Sequence, residues 1–288
     1  MSDARLADAA ADPRRMFSMR WLTSGVEFLK LLARQRDTIR RLVARDIRSR
    51  YMGSILGLFW SVIHPLIQVA LYYFVFSLVL KMRVGSGYEG THFAFWLVAG
   101  LLPWALFAEV IGRAPAAVLE QADVVKKMVC PSEIFSVVHV AAAAVSHLIG
   151  LSIFLVFLAV AGYPVTWKAF LVLPYLMDVL LIGLGISWAL ASLNVFLRDI
   201  GQVVGVAIQI WFFLTPIFYP ISLVPPFLQP LYGLNPMVYV IEGYRAALLS
   251  GGAVHPIDTL YLLIAGTALC VLGGLIFRRL KPAFADVL

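Results

Sequence analysis

The segment that decides the fold is RRLVARDIRSRYMGSILGLFWSVIHPLIQVALYYFVFSLVL, residues 40–80, in which an arginine-rich stretch passes directly into a long apolar one. Residues 52–80 contain no Asp, Glu, Lys or Arg. A helix of this length, rising about 1.5 Å per residue, exceeds the roughly 30 Å needed to cross the hydrocarbon core of a bilayer. The sequence therefore predicts a first transmembrane helix with a cationic start.

The residues before this helix are amphipathic. Apolar side chains recur at helical spacing on one face, at Ile39, Leu42, Val43 and Ile47. Arginines crowd the rest of the surface, at Arg40, Arg41, Arg45, Arg48 and Arg50. This pattern predicts an amphipathic interface helix over residues 26–51 that lies along the cytoplasmic membrane surface, preceded by a disordered cytoplasmic tail over residues 1–25.

The composition restricts the class of protein. With 61% hydrophobic and 14% charged residues, the chain is predicted to be an integral membrane protein. The net charge of +7 does not indicate nucleic acid as a partner, because most basic residues flank membrane segments instead of forming a groove. The first 25 residues lack the apolar core of a cleavable signal peptide. Cys130 and Cys270 fit neither a disulfide framework nor a metal site.

Five further spans complete a predicted all-α domain of six transmembrane helices over residues 52–281. They are expected over 93–112, 134–161, 169–197, 200–218 and 259–277. Residues 113–133 are too polar to cross and predict one short helix, with Pro115 at its start and Pro131 at its end. Prolines interrupt the chain after the fifth span, which predicts re-entrant or gate helices within residues 219–256.

The basic residues predict the orientation of the spans. Nineteen of the 23 lysines and arginines fall on the side that carries both termini. The other side has only Lys81, Arg83, Lys168 and Arg245. The positive-inside rule therefore places both termini in the cytoplasm and the proline-rich segment outside.

Few residues suggest catalytic chemistry. The chain has no Walker A motif, so a P-loop cannot bind nucleotide phosphates here. His139 and His147 are interpreted as core histidines and not as a pair of metal ligands. Asp178 is either an ordinary charge at the membrane interface or a carboxylate with a role in transport.

Aromatic residues are concentrated in the first and fifth spans. The candidates for a channel lining are Phe59, Tyr73, Phe76, Trp211, Phe212, Phe213, Phe218 and Tyr219. Lipid-facing packing and an interfacial belt explain such residues as well as a pore does. In a pore, flat rings would stack on the C–H faces of sugars and let a neutral polymer slide.

Several motifs, in this order and spacing, resemble the membrane subunits of ABC exporters for cell-surface polysaccharides, the O-antigen, capsule and teichoic-acid export permeases. They are RDIRSRY (45–51), GSILGLFW (53–60), Pro65, VKKMVCPSEIF (125–135), NVFLRDI (194–200), TPIFYP (215–220) and LNPM (234–237). The resemblance covers residues 39–281, and residues 1–38 have no counterpart in it.

The resemblance implies a homodimeric permease that pairs with two copies of a separate ATPase, on which ATP and Mg would bind, while this chain itself would hold no cofactor. Residues 115–130 would be the coupling helix that contacts the ATPase. Its expected contact residues are Glu120, Asp123, Lys126 and Lys127. Arg45, Arg48 and Arg50 would either bind the diphosphate of a polyprenyl-linked glycan or anchor the chain to anionic lipid.

The expected function is therefore ATP-driven export of a polyprenyl-diphosphate-linked polysaccharide across the bacterial inner membrane, with O-antigen of lipopolysaccharide preferred over capsule or teichoic acid. An ion-coupled secondary transporter is the main alternative, but paired broken helices and coupling ionisable residues are not visible. A membrane-embedded glycosyl- or acyltransferase would need a cluster of carboxylates or a His/Asp pair, and neither appears.

Overall fold

The structure of the protein is a computed structural model, and it describes residues 30, 32–49, 59–84, 87–122, 131–249 and 252–287. Helices and the turns between them make up this part of the chain, which contains no β-strand. The all-helical prediction is therefore confirmed. The helices are α1 (Arg36–Ser49), α2 (Trp60–Tyr72), α3 (Phe93–Arg113), α4 (Ala116–Leu119), α5 (Glu133–Val160), α6 (Val172–Phe196), α7 (Ile200–Phe213), α8 (Gln229–Leu234), α9 (Pro236–Leu248), α10 (Pro256–Leu280) and α11 (Phe284–Val287).

Four helical segments in the described residues are long and apolar enough to cross a bilayer. They are Phe93–Arg113, Glu133–Val160, Trp167–Phe196 and Pro256–Ala283. These segments coincide with the predicted second, third, fourth and sixth spans. At the positions of the first and fifth spans the apolar helices are shorter, at Leu66–Val79 and Ile200–Phe213. The count of six spans thus stays a prediction.

The first and fifth spans differ in detail from the sequence prediction. After α2 the helix widens into a π-helical turn over Tyr73–Val79, and residues 50–58 lie outside the described part of the chain. α7 was expected to reach Phe218 but ends at Phe213. Pro216 explains the earlier end, because a proline lacks the backbone N–H and disfavours the helical conformation in the residue before it.

Glycines allow α6 and α10 to pack closely along their lengths. A Cβ at Gly185 would collide with the backbone of Leu269, and a Cβ at Gly273 would collide with the backbone of Gly185. Gly183 lies against the side chain of Val110 on α3. Small residues permit such close approach of helix backbones in membrane proteins. The Gly-Leu-Gly sequence at 183–185 is therefore a packing device.

α3 forms the centre of the bundle and packs against α5, α6, α7 and α9. Its buried side chains include Trp96, Leu97, Leu106 and Phe107. The bundle has two distinct ends. We call the end where α1, the last turn of α3 and the first turn of α5 meet the basic end. The end formed by the first turn of α3, the last turn of α7 and α9 is the proline-rich end.

Both ends of the described chain lie at the basic end. α1 packs against α5, and none of its side chains is fully buried. At the other terminus, Lys281 forms an ion pair with Glu133 of α5, with Nζ 2.8 Å from Oε2. The predicted disordered tail over residues 1–25 lies outside the described residues.

The segment after α3 was predicted as one short helix, but its described part is a four-residue helix followed by a turn. Pro115 stands immediately before α4, a helix of four residues, and Glu120 and Gln121 follow in a turn. Residues 123–130 lie outside the described residues. α4 is held firmly by α6, because Ala117 and Val118 are buried and Asn194 donates to the carbonyl of Pro115 at 2.9 Å. Residues 115–119 are thus fixed on the bundle.

The proline-rich segment is irregular up to α8, as its prolines predict, and ends in a well-packed helix. Ten residues of α9 are buried, and the helix lies against α3 and α6. A Cβ at Gly243 would enter the ring of Tyr175 on α6, so only a glycine fits at this contact.

Candidate functional site

A cavity of about 290 Å³ lies at the basic end, between α1, the end of α3, the turn after α4 and the start of α5. It brings the amphipathic helix next to the segment that leads into residues 123–130. Its lining is largely polar or charged and consists of Leu42, Arg45, Asp46, Ser49, Arg113, Glu120, Gln121, Phe135, Val138 and His139.

Asp46 and Arg113 form the shortest ion pair in this cavity. Nη1 of Arg113 donates to Oδ2 of Asp46 at 3.0 Å, and Nη2 donates to Oδ1 at 2.6 Å. The side chain of Asp46 is 12% exposed and that of Arg113 is 31% exposed. Two parallel, partly shielded hydrogen bonds fix orientation better than an exposed surface pair does. The pair therefore ties α1, which packs against α5, to the end of α3 as well.

His139 lies beside two carboxylates in the same cavity. Its Nε2 is 3.9 Å from Oδ1 of Asp46 and 3.8 Å from Oε2 of Glu120. His147, two turns further along α5, is in a different environment and lies 3.0 Å from the hydroxyl of Tyr244 on α9. The two histidines thus belong to separate polar contacts, and the described residues contain no group of three or more His, Cys, Asp or Glu that could hold a metal ion.

The structure places only some of the residues predicted for coupling and gating. Arg45 lines the cavity, and its Nη2 donates to Oε1 of Gln121 at 3.1 Å. Arg48 is exposed, and Glu120 lies beside His139. Those outside the described residues are Arg50, Asp123, Lys126 and Lys127. Sequence reasoning missed Asp46 and Arg113. The available signal was that Asp46 is an acidic residue among arginines, on the apolar side of α1.

Aromatic side chains form a cluster at the proline-rich end, centred on Phe218. Phe76 stacks on Phe218 with ring centroids 4.3 Å apart and an interplanar angle of 16°. Other ring contacts of Phe218 involve Phe212, Phe213 and Tyr219, at 5.3 to 5.7 Å. Sequence reasoning missed Tyr72, whose ring lies 5.8 Å from that of Phe212. We call Tyr72, Phe76, Phe212, Phe213, Phe218 and Tyr219 the aromatic cluster.

Three of the predicted channel aromatics lie outside this cluster. Tyr73 stacks on His92 with ring centroids 5.6 Å apart. Trp211 packs edge-on against Phe107 of α3 at 4.9 Å. Phe59 is 70% exposed. The structure thus brings together five of the eight predicted residues.

Arg245 of α9 is buried and holds the proline-rich segment against α3. The guanidinium donates to the backbone carbonyls of Trp96, Pro216 and Ile217. Its Nη1 also pairs with Oε1 of Glu242 at 2.7 Å, and its Cζ lies 3.4 Å from the centroid of the Trp96 ring. A cation stacked on Trp and bonded to carbonyls is stabilised although water is excluded.

Arg245 was counted among the few basic residues on the outer side of the membrane and given no role, and the structure shows that it is a buried residue of the proline-rich end. Its side chain has no exposed surface. Gly100 provides the space, because a Cβ there would lie 2.8 Å from Nη2 of Arg245. A sequence signal was the spacing of Glu242 and Arg245, two opposite charges three residues apart in a helix that otherwise has no charged residue.

Asn235 connects two of the sequence motifs at the proline-rich end. Its Oδ1 accepts hydrogen bonds from Nε1 of Trp211 and from the backbone N–H of Met237, each at 3.0 Å. Its Nδ2 donates to the hydroxyl of Thr215 at 3.1 Å. Asn235 is thus both the N-cap of α9 and a bridge to α7.

Asp178 and Tyr219 are two further polar residues of the bundle. Asp178 is 2% exposed, and its Oδ2 has no hydrogen-bond partner among the described residues. Tyr219 shares a 2.7 Å hydrogen bond with the hydroxyl of Tyr232. Burial raises the pKa of Tyr219, so its hydroxyl stays protonated.

These features define the class as a helical integral membrane protein with polar contacts at both ends of an apolar bundle. Residues 38–249 match the family model described as ABC-2 type transporter. The chain therefore belongs to the ABC-2 type transporter family, which confirms the family indicated by the sequence motifs.

Curated relatives align along nearly the whole chain. The O-antigen export system permease protein RfbA of Klebsiella pneumoniae is 28% identical over 254 residues, covering 88% of this chain and 95% of the relative. A protein of the same name from Myxococcus xanthus is 26% identical, covering 91% of this chain and 99% of the relative. The polysialic acid transport protein KpsM of Escherichia coli is 21% identical, covering 86% and 95%.

Proposed function

We propose that the chain is the membrane subunit of an ATP-driven exporter that moves a polyprenyl-diphosphate-linked cell-surface polysaccharide across the bacterial inner membrane. One observation carries the proposal: the chain aligns over 88–91% of its length with relatives named as O-antigen export permeases. Their coverage leaves no large part of either protein unmatched. The substrate assigned here is the O-antigen of lipopolysaccharide.

A capsular polysaccharide is the second candidate substrate. The relative named as a polysialic acid transport protein aligns over 86% of the chain but at 21% identity, below the 28% and 26% of the relatives named for O-antigen export. This difference favours O-antigen. Teichoic acid has no such support among these relatives.

The proposed membrane topology has six spans with both termini in the cytoplasm. α2 and α7 would supply the first and fifth spans beside the four longer helices. The basic end, which carries α1 and Lys281, would face the cytoplasm, since basic residues are retained on that side. The proline-rich end with α8 and α9 would then form an outer gate over residues 219–256.

Two copies of the chain would form a homodimer that binds two copies of an ABC ATPase, on which ATP and Mg would bind. Residues 115–130 would be the coupling segment, with Glu120, Asp123, Lys126 and Lys127 as contact residues. Support comes from the position of Glu120, because it lines the same cavity as α1 at the end that would face the ATPase. Movement of this segment would reach the spans through α1 and α4.

The polymer would pass along the aromatic cluster and the exposed face of α7. Only Val204 and Phe212 of α7 are buried. Gln202 and Gln209 are exposed, although amides facing hydrocarbon are unfavourable, so this face suits a second copy or a hydrated path. Arg45, Arg48 and Arg50 would meet the lipid diphosphate at the entrance, or anionic lipid.

Copurification with an ATPase tests the proposal. The chain would be expressed with candidate ABC ATPases from the same host, as wild type and as Asp123→Lys with Lys127→Glu. We expect the wild type to copurify with the ATPase and the charge reversal to abolish this association. Lys168→Glu, at the opposite end of the bundle, is the control and should retain it. A wild-type chain that binds no ATPase in mild detergent would refute the assignment and favour a secondary transporter.

A further inference from the structure

We propose that Asp46 and Arg113, together with Arg45 and Gln121, form a latch that makes α1 move with the segment between α3 and α5. We call these four residues the Asp46 latch. The proposal rests on the proposed function in one respect: the motion it transmits would come from an ATPase bound at residues 115–130. The docking of α1 by these contacts can be measured without that partner.

The Asp46 latch is a prominent attachment of α1 to the bundle. α1 packs against α5 through a half-buried apolar face, but none of its side chains is fully buried. Polar contacts add to this packing: Asp46 binds both terminal nitrogens of Arg113, and Arg45 binds Gln121. A bidentate pair constrains rotation as well as distance. The register of α1 against the bundle therefore depends on these side chains.

Both partners of α1 belong to the polypeptide that enters the proposed coupling segment. Arg113 is the last residue of α3, and Gln121 is separated from it by α4 and its flanking turns. A displacement of this segment would thus pull on α1 at two adjacent residues, Arg45 and Asp46, through partners that lie on either side of α4. Glu120 and His139 line the same cavity and complete its set of charged and titratable groups.

α1 leads along the chain into α2, which carries Tyr72 and Phe76 of the aromatic cluster. α4 provides a separate connection, because it is packed on α6. Two sets of contacts therefore leave the coupling segment, one route to α6 through the buried residues of α4 and one route to α1 through the Asp46 latch. Breaking the latch should interrupt the second route and leave ATPase binding intact.

The chain offers a matched control for this ion pair. Lys281 binds both carboxylate oxygens of Glu133 at 2.8 and 2.9 Å, at the same end of the bundle. Its side-chain exposures, 37% and 14%, are close to the 31% and 12% of Arg113 and Asp46. This pair joins the end of α10 to α5 and does not involve α1. Loss of either ion pair should therefore affect folding to a similar degree. Only loss of the pair between Asp46 and Arg113 should affect the coupling of ATP hydrolysis to export.

The first readout is the mobility of α1 in the full-length permease. A spin label at Arg41→Cys, in a background with Cys130→Ser and Cys270→Ser, reports this mobility by electron paramagnetic resonance. We expect a mobile label in Asp46→Asn and in Arg113→Gln, and an immobilised one in wild type and in Glu133→Gln. Equal mobility in Asp46→Asn and Glu133→Gln would overturn the latch, whether or not the protein is an exporter.

The second readout is export per ATP hydrolysed, measured with the permease and ATPase in proteoliposomes containing the lipid-linked glycan. We expect Asp46→Asn and Arg113→Gln each to lower this ratio about tenfold, a factor typical of coupling between two sites. The double variant should lower the ratio no further than either single variant. The swap of Asp46→Arg with Arg113→Asp should restore it. The latch would be overturned if the ratio were unchanged in Asp46→Asn, or if it fell equally in Glu133→Gln. A wild-type protein that exports nothing would instead count against the proposed function.

Discussion

Replacing Arg245 by methionine removes the guanidinium that ties α9 to α3 and to the loop after α7. Methionine fills similar space but donates no hydrogen bond. The carbonyls of Pro216 and Ile217 would lose a charged donor, and Trp96 would lose its stacked cation. The loop carries Phe218, so we expect the substitution to loosen the aromatic cluster as well as to destabilise the fold.

The magnitude follows from what is left without a partner. A buried polar group that loses its hydrogen bond costs about 1–3 kcal/mol, and the carbonyls of Trp96, Pro216 and Ile217 each lose one here. The variant no longer buries a cation, so the desolvation cost of the guanidinium disappears and offsets part of this loss. Glu242 loses its ion pair but can be hydrated, because its side chain is 39% exposed. Removing one member of a buried charged network typically costs about 3–5 kcal/mol, so we expect a loss of about 4 kcal/mol. This corresponds to a fall in Tm on the order of 10 °C.

The assay is thermal unfolding of the purified full-length protein in one detergent, followed by tryptophan fluorescence. Arg245→Lys should fall between wild type and Arg245→Met, because a single ammonium cannot reproduce the fork of donors. Arg198→Met is the control, since Arg198 is exposed and its loss should leave Tm within about 1 °C. A Tm of Arg245→Met equal to that of the control would refute the reasoning.

Three further substitutions test other parts of the fold by the same measurement. Gly273→Val should destabilise the protein by at least about 2 kcal/mol, because the valine side chain would enter the backbone of α6. Gly205→Ala is the control and should be neutral or slightly stabilising, since the space around Gly205 is open. Equal effects would contradict the close contact between α6 and α10. Phe218→Ala should lower the free energy of unfolding by about 3–5 kcal/mol, because ring packing is lost. Phe59→Ala, at an exposed position, should lower it by about 0.5 kcal/mol, and similar losses in the two variants would argue against the aromatic cluster. Asn235→Ala should cost about 3 kcal/mol, since a helix cap and two side-chain bonds are lost together, and a loss below 1 kcal/mol would show that they contribute little.

The sequence predicts the apolar helices well because their signal is local. A run of apolar residues bounded by charges or prolines reveals a long helix without knowledge of its neighbours, as for Glu133–Val160. The end of α7 was misjudged because the fifth span was continued past Pro216 to Phe218, and this proline was given too little weight.

The polar junctions could not be predicted in the same way, because their partners are distant in sequence. Arg245 is bonded to Trp96, 149 residues away, and Asp46 is bonded to Arg113, 67 residues away. A single sequence gives no measure of such proximity, so Arg245 was counted as an outer charge and Asp46 was overlooked. The aromatic cluster was predicted in part, since its members are concentrated in two segments that the resemblance brings together.

The central claim is most directly tested by the fate of the glycan in cells that lack the protein. The gene would be deleted from its host, and lipopolysaccharide from the surface would be compared with polyprenyl-linked glycan in the inner membrane. The account predicts that surface O-antigen is lost, that the lipid-linked glycan accumulates inside, and that the wild-type gene restores export. Unchanged surface O-antigen with no internal accumulation would contradict it.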